Sequence, residues 1–376
     1  MTPIAENNFK PGLEGVIAAE TLLSRVDGQK GELIIGGYTL EAIASQASFE
    51  EVVFLLWHGH RPTEDERETF TNQLAEKRHL PKATIELLKA IAKQRKPMMD
   101  ALRIAAGTVD LDQQAKDHMH TAQTILARLP TAVAAYYRLL QGQEPVEPNT
   151  TLSHAANFLY MLSGELPSDA RVKGLETYLN TVIDHGLNAS TFAARVIIAT
   201  QSDMASAVVG AIGALKGPLH GGAPGPALDM VFEIETADRA EAYLRHKLDA
   251  GERLMGFGHR VYKVRDPRAE VLGEAAKVMF AKDGDMELYN LVQAVEETAV
   301  RLLAEYKPGR NLQTNVEFYT ALLLHGLGLP TDIFSPTFAI ARAGGWLAHC
   351  FEQLKTGRLI RPKARYIGDI RSEWES

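Results

Sequence analysis

Cysteine is almost missing from this chain of 376 residues. Cys350 stands alone, which excludes an intrachain disulfide and any metal centre built from several thiolates of one chain. It lies in the apolar run 345–351, where a buried, inert thiol is favoured over a nucleophile. A basic excess is missing too: 40 Lys plus Arg against 47 Asp plus Glu leave a formal net charge of −7. Duplex binding draws most of its affinity from phosphate neutralisation, so general nucleic-acid binding is unfavoured. Uncharged stretches such as 204–215 are far too short to span a bilayer, and residues 1–10 lack the apolar core of a secretory signal. A soluble, cytoplasmic protein with no membrane partner is expected. No glycine run continues into Gly-Lys-Ser/Thr, and no strand pattern opens into Gly-x-Gly-x-x-Gly, so Walker-type hydrolysis and Rossmann-type hydride transfer lose their support.

What is present is an ordinary globular composition, 45% hydrophobic and 23% charged, in a chain long enough for one large domain or two smaller ones. Helical periodicity dominates. Leu288, Leu291, Val292, Val295, Ala299, Leu302 and Tyr306 form one stripe, and similar patterns cover about 49–58, 64–77, 83–94, 98–108, 114–141, 151–163, 168–184, 239–249 and 268–281. The best strand signal is Gly31 to Tyr38, read as a short hairpin bounded by glycines. The segment 204–215, rich in Ala and Gly and without charge, is expected in the centre of a domain or at a subunit interface.

Two glycine-rich turns carry histidines: Gly217-Pro218-Leu219-His220-Gly221-Gly222-Ala223 and Gly256-Phe257-Gly258-His259. Glycine beside a polar residue lets the backbone approach a ligand while the side chain projects from a tight turn. His-Glu-x-x-His is absent, and His58, His60, His118 and His120 lie in polar segments read as exposed. His185, His220 and His259 could converge on zinc, but the arginines around them favour an anionic organic ligand. Arg260, Lys263, Arg265 and Arg268 crowd one turn, and Arg342 interrupts an apolar helix. A guanidinium there pairs either with a substrate carboxylate or with a structural acid, two readings of about equal weight. Glu317, between Val316 and Phe318 at the start of an apolar helix, is either a general base with a pKa raised by burial or an acid compensating the helix dipole.

Taken in order and spacing, the two histidine turns, the Asp266-Pro267-Arg268 that follows the second, Asn315-Val316-Glu317-Phe318-Tyr319 and Arg361-Pro362 resemble the citrate synthase family in its short bacterial and archaeal form. The resemblance runs from Gly12 to Gly368. It implies an all-α, two-domain helical fold with a short N-terminal β-hairpin: a large domain from 1–220 and 321–376, and a small domain at 221–320 that closes over substrate. It implies a homodimer that condenses acetyl-CoA with oxaloacetate and water to citrate and CoA, with no cofactor and no metal. Glu317 takes the place of the general base. His220 would donate to the thioester oxygen and His259 would polarise the oxaloacetate carbonyl. His185, Arg268 and Arg342 would hold oxaloacetate with Phe338 beside them, Arg361 would reach in from the other subunit, and Lys263 would contact a CoA phosphate.

Two residues depart from the family pattern. Glu317 stands where aspartate is usual, and its extra methylene moves the carboxylate by roughly an ångström unless the backbone retreats. Gly186 follows His185 where glutamate is common. A 2-methylcitrate synthase using propionyl-CoA would share these motifs, and a CoA or dicarboxylate sensor that binds without turnover would keep the same fold.

Overall fold

The computed structural model describes residues 9–112, 117–220 and 225–370. Within them the chain is overwhelmingly helical, as the periodicity requires. The hairpin exists, and a third strand extends it: β1 (Ser24–Asp27), β2 (Glu32–Ile35) and β3 (Tyr38–Thr39) form an antiparallel sheet in chain order, with Ser24 opposite Ile35 and Ile34 opposite Thr39. β1 carries three polar residues in four, too short a stretch to show alternation in the sequence.

Sixteen α-helices follow among the described residues. After α1 (Leu40–Ile43), α2 (Phe49–His58) and α3 (Glu64–Glu76) each begin with a capping box, Ser48 with Glu51 and Thr63 with Glu66. Pro81 and Pro97 precede α4 (Lys82–Ala92) and α5 (Met98–Ala106), where a missing N–H costs nothing. Asp117, Ser153, Ser168, Asn188 and Asp203 cap α6 (His118–Leu140), α7 (His154–Ser163), α8 (Asp169–Val182), α9 (Ala189–Ile198) and α10 (Met204–Leu215). Then come α11 (Gly225–Ile234), α12 (Ala240–Asp249), α13 (Pro267–Asp283), α14 (Met286–Tyr306), α15 (Val316–Gly326) and α16 (Phe334–Thr356).

The buried centre is made by α6, buried continuously from Ala122 to Tyr136, and α16, buried from Ala339 to Cys350. The segment 204–215, expected to be buried all round or covered by a second subunit, buries one face of α10 and leaves Ser206 and Gly213 exposed in the single chain. Cys350 is buried and its thiol is pushed up to about 12 by burial, the inert state expected of it.

Two packing features set up the site. A Cβ at Gly345 would come within 2.2 Å of the Ile183 carbonyl oxygen, so only glycine lets α16 press against the end of α8, where Asp184 and His185 begin. The loop 256–266 is laced to 313–315: Gly258 donates to the Gln313 carbonyl at 2.7 Å, Asn315 to Gly256 at 2.9 Å and Asp266 to Thr314 at 3.2 Å. Gly256 has φ +86°, and an added Cβ would meet Phe318 at 2.8 Å. No described helix is long and apolar enough to cross a membrane.

Candidate active site

One cavity of about 700 Å³ brings together residues from across the chain. His185 enters from the end of α8 and His220 from the turn after α10. His259 and Arg268 belong to the laced loop and the start of α13, Glu317 to the first turn of α15, and Phe338 and Arg342 to α16. All seven were named from the sequence as candidates. Residues 221–224, where the small domain was expected to begin, lie outside the described residues.

Hydrogen bonding assigns the imidazole protons. His220 Nε2 accepts from the Ser190 amide at 3.2 Å and lies 2.7 Å from its hydroxyl, so the proton sits on Nδ1. Trp346 Nε1 donates to the same hydroxyl at 3.0 Å, and that hydroxyl lies 2.8 Å from Asn188 Oδ1. Serine and indole together hold the ring. His259 Nδ1 accepts from the amides of Val261 and Tyr262, both at 3.1 Å, which leaves Nε2–H as its donor. Arg268 Nη2 approaches that Nε2 at 3.4 Å; with Nδ1 already accepting twice, this is a contact between two donors and not a bond. His185 Nε2 meets the Tyr262 hydroxyl at 3.1 Å.

All three imidazoles are held neutral. Burial lowers His185 far below its ordinary value, with Arg268 and Arg342 adding to the effect. It brings His259 to about 4, helped by Arg268, and lowers His220, helped by Arg342. Glu317 moves the other way: burial raises its pKa and Arg268 only partly opposes this. A carboxylate so placed is a stronger base than one in water.

The arginines differ. Arg268 is buried and paired through Nε and Nη2 with Asp266, at 3.0 and 2.7 Å, which itself caps α13. Arg342, 2% exposed, has no carboxylate within ion-pair distance among the described residues. Its Nε donates to the Val182 carbonyl at 2.6 Å, and its guanidinium lies 4.5 Å from the centre of the Phe338 ring. Burial lowers it to about 10, with Asp184 opposing. Of the two readings open for Arg342, the internal salt bridge is therefore not the one built.

Arg361 and Lys263 do not line the cavity. Arg361 is exposed in the segment after α16, and Lys263 is exposed with its ammonium 3.2 Å from the Arg260 carbonyl. Arg260 does line the cavity, as do Asn188, Thr320 and Tyr178, which were not singled out beforehand. A buried chain behind His185 also escaped notice. Ser24 donates to Asp184 at 2.5 Å and accepts from the Gly186 amide at 2.8 Å, while His349 Nε2 lies 3.2 Å from Asp184 and its Nδ1 3.0 Å from Arg195. Nothing local in the sequence marks these partners. Gly186 has φ +61°, a conformation that a residue with a side chain adopts only with strain.

The family described as citrate synthase, C-terminal domain, matches residues 12–363. A citrate synthase of Haloferax volcanii is 42% identical over 371 residues, covering 96% of each chain. A 2-methylcitrate synthase of Mycobacterium tuberculosis is 38% identical, covering 96% of this chain and 91% of its own. The ternary complex of the Thermoplasma acidophilum citrate synthase with carboxymethyl coenzyme A and oxaloacetate superposes with a TM-score of 0.86 at 29% identity, covering 97% of this chain and 98% of that one. By sequence and by fold, this chain belongs to the citrate synthase family of acyl-transferring enzymes.

Proposed function

We propose that this protein condenses acetyl-CoA with oxaloacetate and water to give citrate and CoA. The observation that carries the reading is the lone, buried guanidinium of Arg342 in a cavity that also holds a basic carboxylate and two neutral imidazoles with assigned donors. Arg342 and the free edge of Arg268 would take the oxaloacetate carboxylates, with His185 and Phe338 beside them. Glu317 would remove a proton from the thioester methyl while Nδ1–H of His220 stabilises the developing enolate oxygen. Nε2–H of His259 would polarise the ketone that the new carbon nucleophile attacks. Water then cleaves the citryl thioester and releases CoA. Every acid, base and charge stabiliser in this scheme is a side chain, so the reaction calls for no cofactor or metal.

The same reading takes residues 221–320 as a small domain closing on a large one formed by 1–220 and 321–376, which excludes water and strengthens each interaction. It includes a cytoplasmic homodimer in which Arg361 serves the partner's site, and Arg260 and Lys263 as contacts for CoA phosphates. Release of free thiol from acetyl-CoA, measured with and without oxaloacetate, tests the activity. No oxaloacetate-dependent release refutes it; oxaloacetate binding without turnover identifies a sensor.

The relationship to a 2-methylcitrate synthase supports propionyl-CoA as a second acyl donor. One methylene in an apolar pocket shifts specificity only about 10- to 200-fold, so the ratio of kcat/KM for the two thioesters decides between them.

A further inference from the structure

Glu317 is held by no hydrogen bond from another described side chain, so the position of its carboxylate depends on how α15 begins. That beginning is tied to α14. Glu296 on α14, 7% exposed, accepts from the Thr314 hydroxyl at 2.6 Å through Oε1 and from the Tyr319 hydroxyl at 2.5 Å through Oε2. Thr314 and Tyr319 stand on either side of Glu317 in the chain, three residues before and two after. Oε1 also pairs with Arg265 Nη1 at 2.8 Å, and Arg265 directly precedes the Asp266 that holds Arg268 and receives the Val316 amide at 3.3 Å.

We propose that Glu296 is a positioning residue for the reaction: through Thr314, Tyr319 and Arg265 it registers the segment bearing Glu317 against the loop bearing His259 and Arg268. The inference rests on the reading of Glu317 as the general base. Both oxygens are used and every partner lies within three residues of a site residue, so loss of the carboxylate moves the base while leaving Arg342, His185 and His220, which stand on other elements, in place. A base displaced by part of an ångström costs rate and leaves ground-state binding of oxaloacetate largely intact.

The test compares Glu296→Gln with wild type in thiol release, using acetyl-CoA and its methyl-deuterated form. The amide keeps the shape but loses the charge facing Arg265 and one acceptor. Expected are a kcat about tenfold lower, an oxaloacetate KM within about threefold, and a larger deuterium isotope effect as proton removal becomes more rate-limiting. A purely structural role lowers the melting temperature without moving the isotope effect. Thr314→Val with Tyr319→Phe removes both hydroxyl bonds while leaving the pair with Arg265, and must move kcat and the isotope effect in the same direction, which decides the matter if Glu296→Gln does not fold. A folded variant with kcat within twofold and an unchanged isotope effect overturns the inference. Absence of turnover in wild type would instead overturn the activity itself.

Discussion

Replacing Arg342 with methionine should leave the empty protein at least as stable and disable it at once. Among the described residues the guanidinium has no carboxylate within ion-pair distance, and the fall of its pKa from 12.5 to about 10, which Asp184 only partly opposes, corresponds to about 3 kcal/mol of penalty on the charged form. For a cation with a depressed folded-state value, that penalty is fully present below about 10 and is relieved only as pH rises towards the unfolded value, so it operates in full at pH 7. Methionine keeps the contact with Phe338 but gives up the charge-assisted bond to the Val182 carbonyl, worth about 1.5–3 kcal/mol. The net change is about 0–1.5 kcal/mol in favour of the variant, which for a chain of this length moves Tm upward by about 2 °C or less. In wild type, oxaloacetate at a hundred times its Kd adds about 2.7 kcal/mol. The variant should lose that increment, because removing one partner of a buried charge pair costs about 2–5 kcal/mol, or roughly 30- to 5,000-fold in affinity. Thermal unfolding with and without oxaloacetate measures both effects. An empty variant that melts 2 °C lower, or one that keeps its oxaloacetate-induced shift, refutes the assignment of Arg342 as an unpaired carboxylate receptor.

Other outcomes follow from the same geometry. As pH falls, kcat should drop as Glu317 takes up a proton at a value above the ordinary 4.5, because burial favours its neutral form; no limb should come from His259, which stays neutral down to about 4. A kcat profile across pH 4.5–8.5 checks this, and loss of the acid limb in a histidine variant with Glu317 intact would contradict it. Glu317→Asp should lower kcat by about 10- to 100-fold, since it withdraws the carboxylate by roughly an ångström from where this backbone places it; an equal or faster rate in thiol release would show that the backbone has no such preference. Gly256→Ala should cost about 1–3 kcal/mol in denaturant unfolding, through its left-handed φ and the approach to Phe318; no change in midpoint would mean that the laced loop adapts freely.

How much was visible beforehand divides along the range of the interactions. Most helix positions were readable because they are written in a local period and often in a cap, such as Ser48 with Glu51 or Thr63 with Glu66, whereas α1, α9 and α11 were not among the stretches read. The histidine turns and Asn315-Val316-Glu317 were readable because glycine and charge stand out against their neighbours. The third strand β1 was not, being four residues long and stabilised by pairing with β2 more than by its own composition. Nor was the order of burial, in which α6 and α16 take the centre and α10 keeps one face exposed. That order depends on which helices meet.

Residue types and much of the local conformation were therefore settled by the sequence itself: a helical chain, a single inert thiol, and a set of imidazoles, guanidiniums and one carboxylate standing out in turns or on apolar helices. Whether Arg342 was paired or left free, which nitrogen of His220 and of His259 carries the proton, and what holds the segment around Glu317 were decided only in three dimensions. Asp184 and His349 meet across 165 residues, Trp346 and Ser190 across 156, and Glu296 reaches Tyr319 from a different helix. Protonation and charge compensation depend on the nearest few ångströms, and separation along the chain does not determine which groups will lie there.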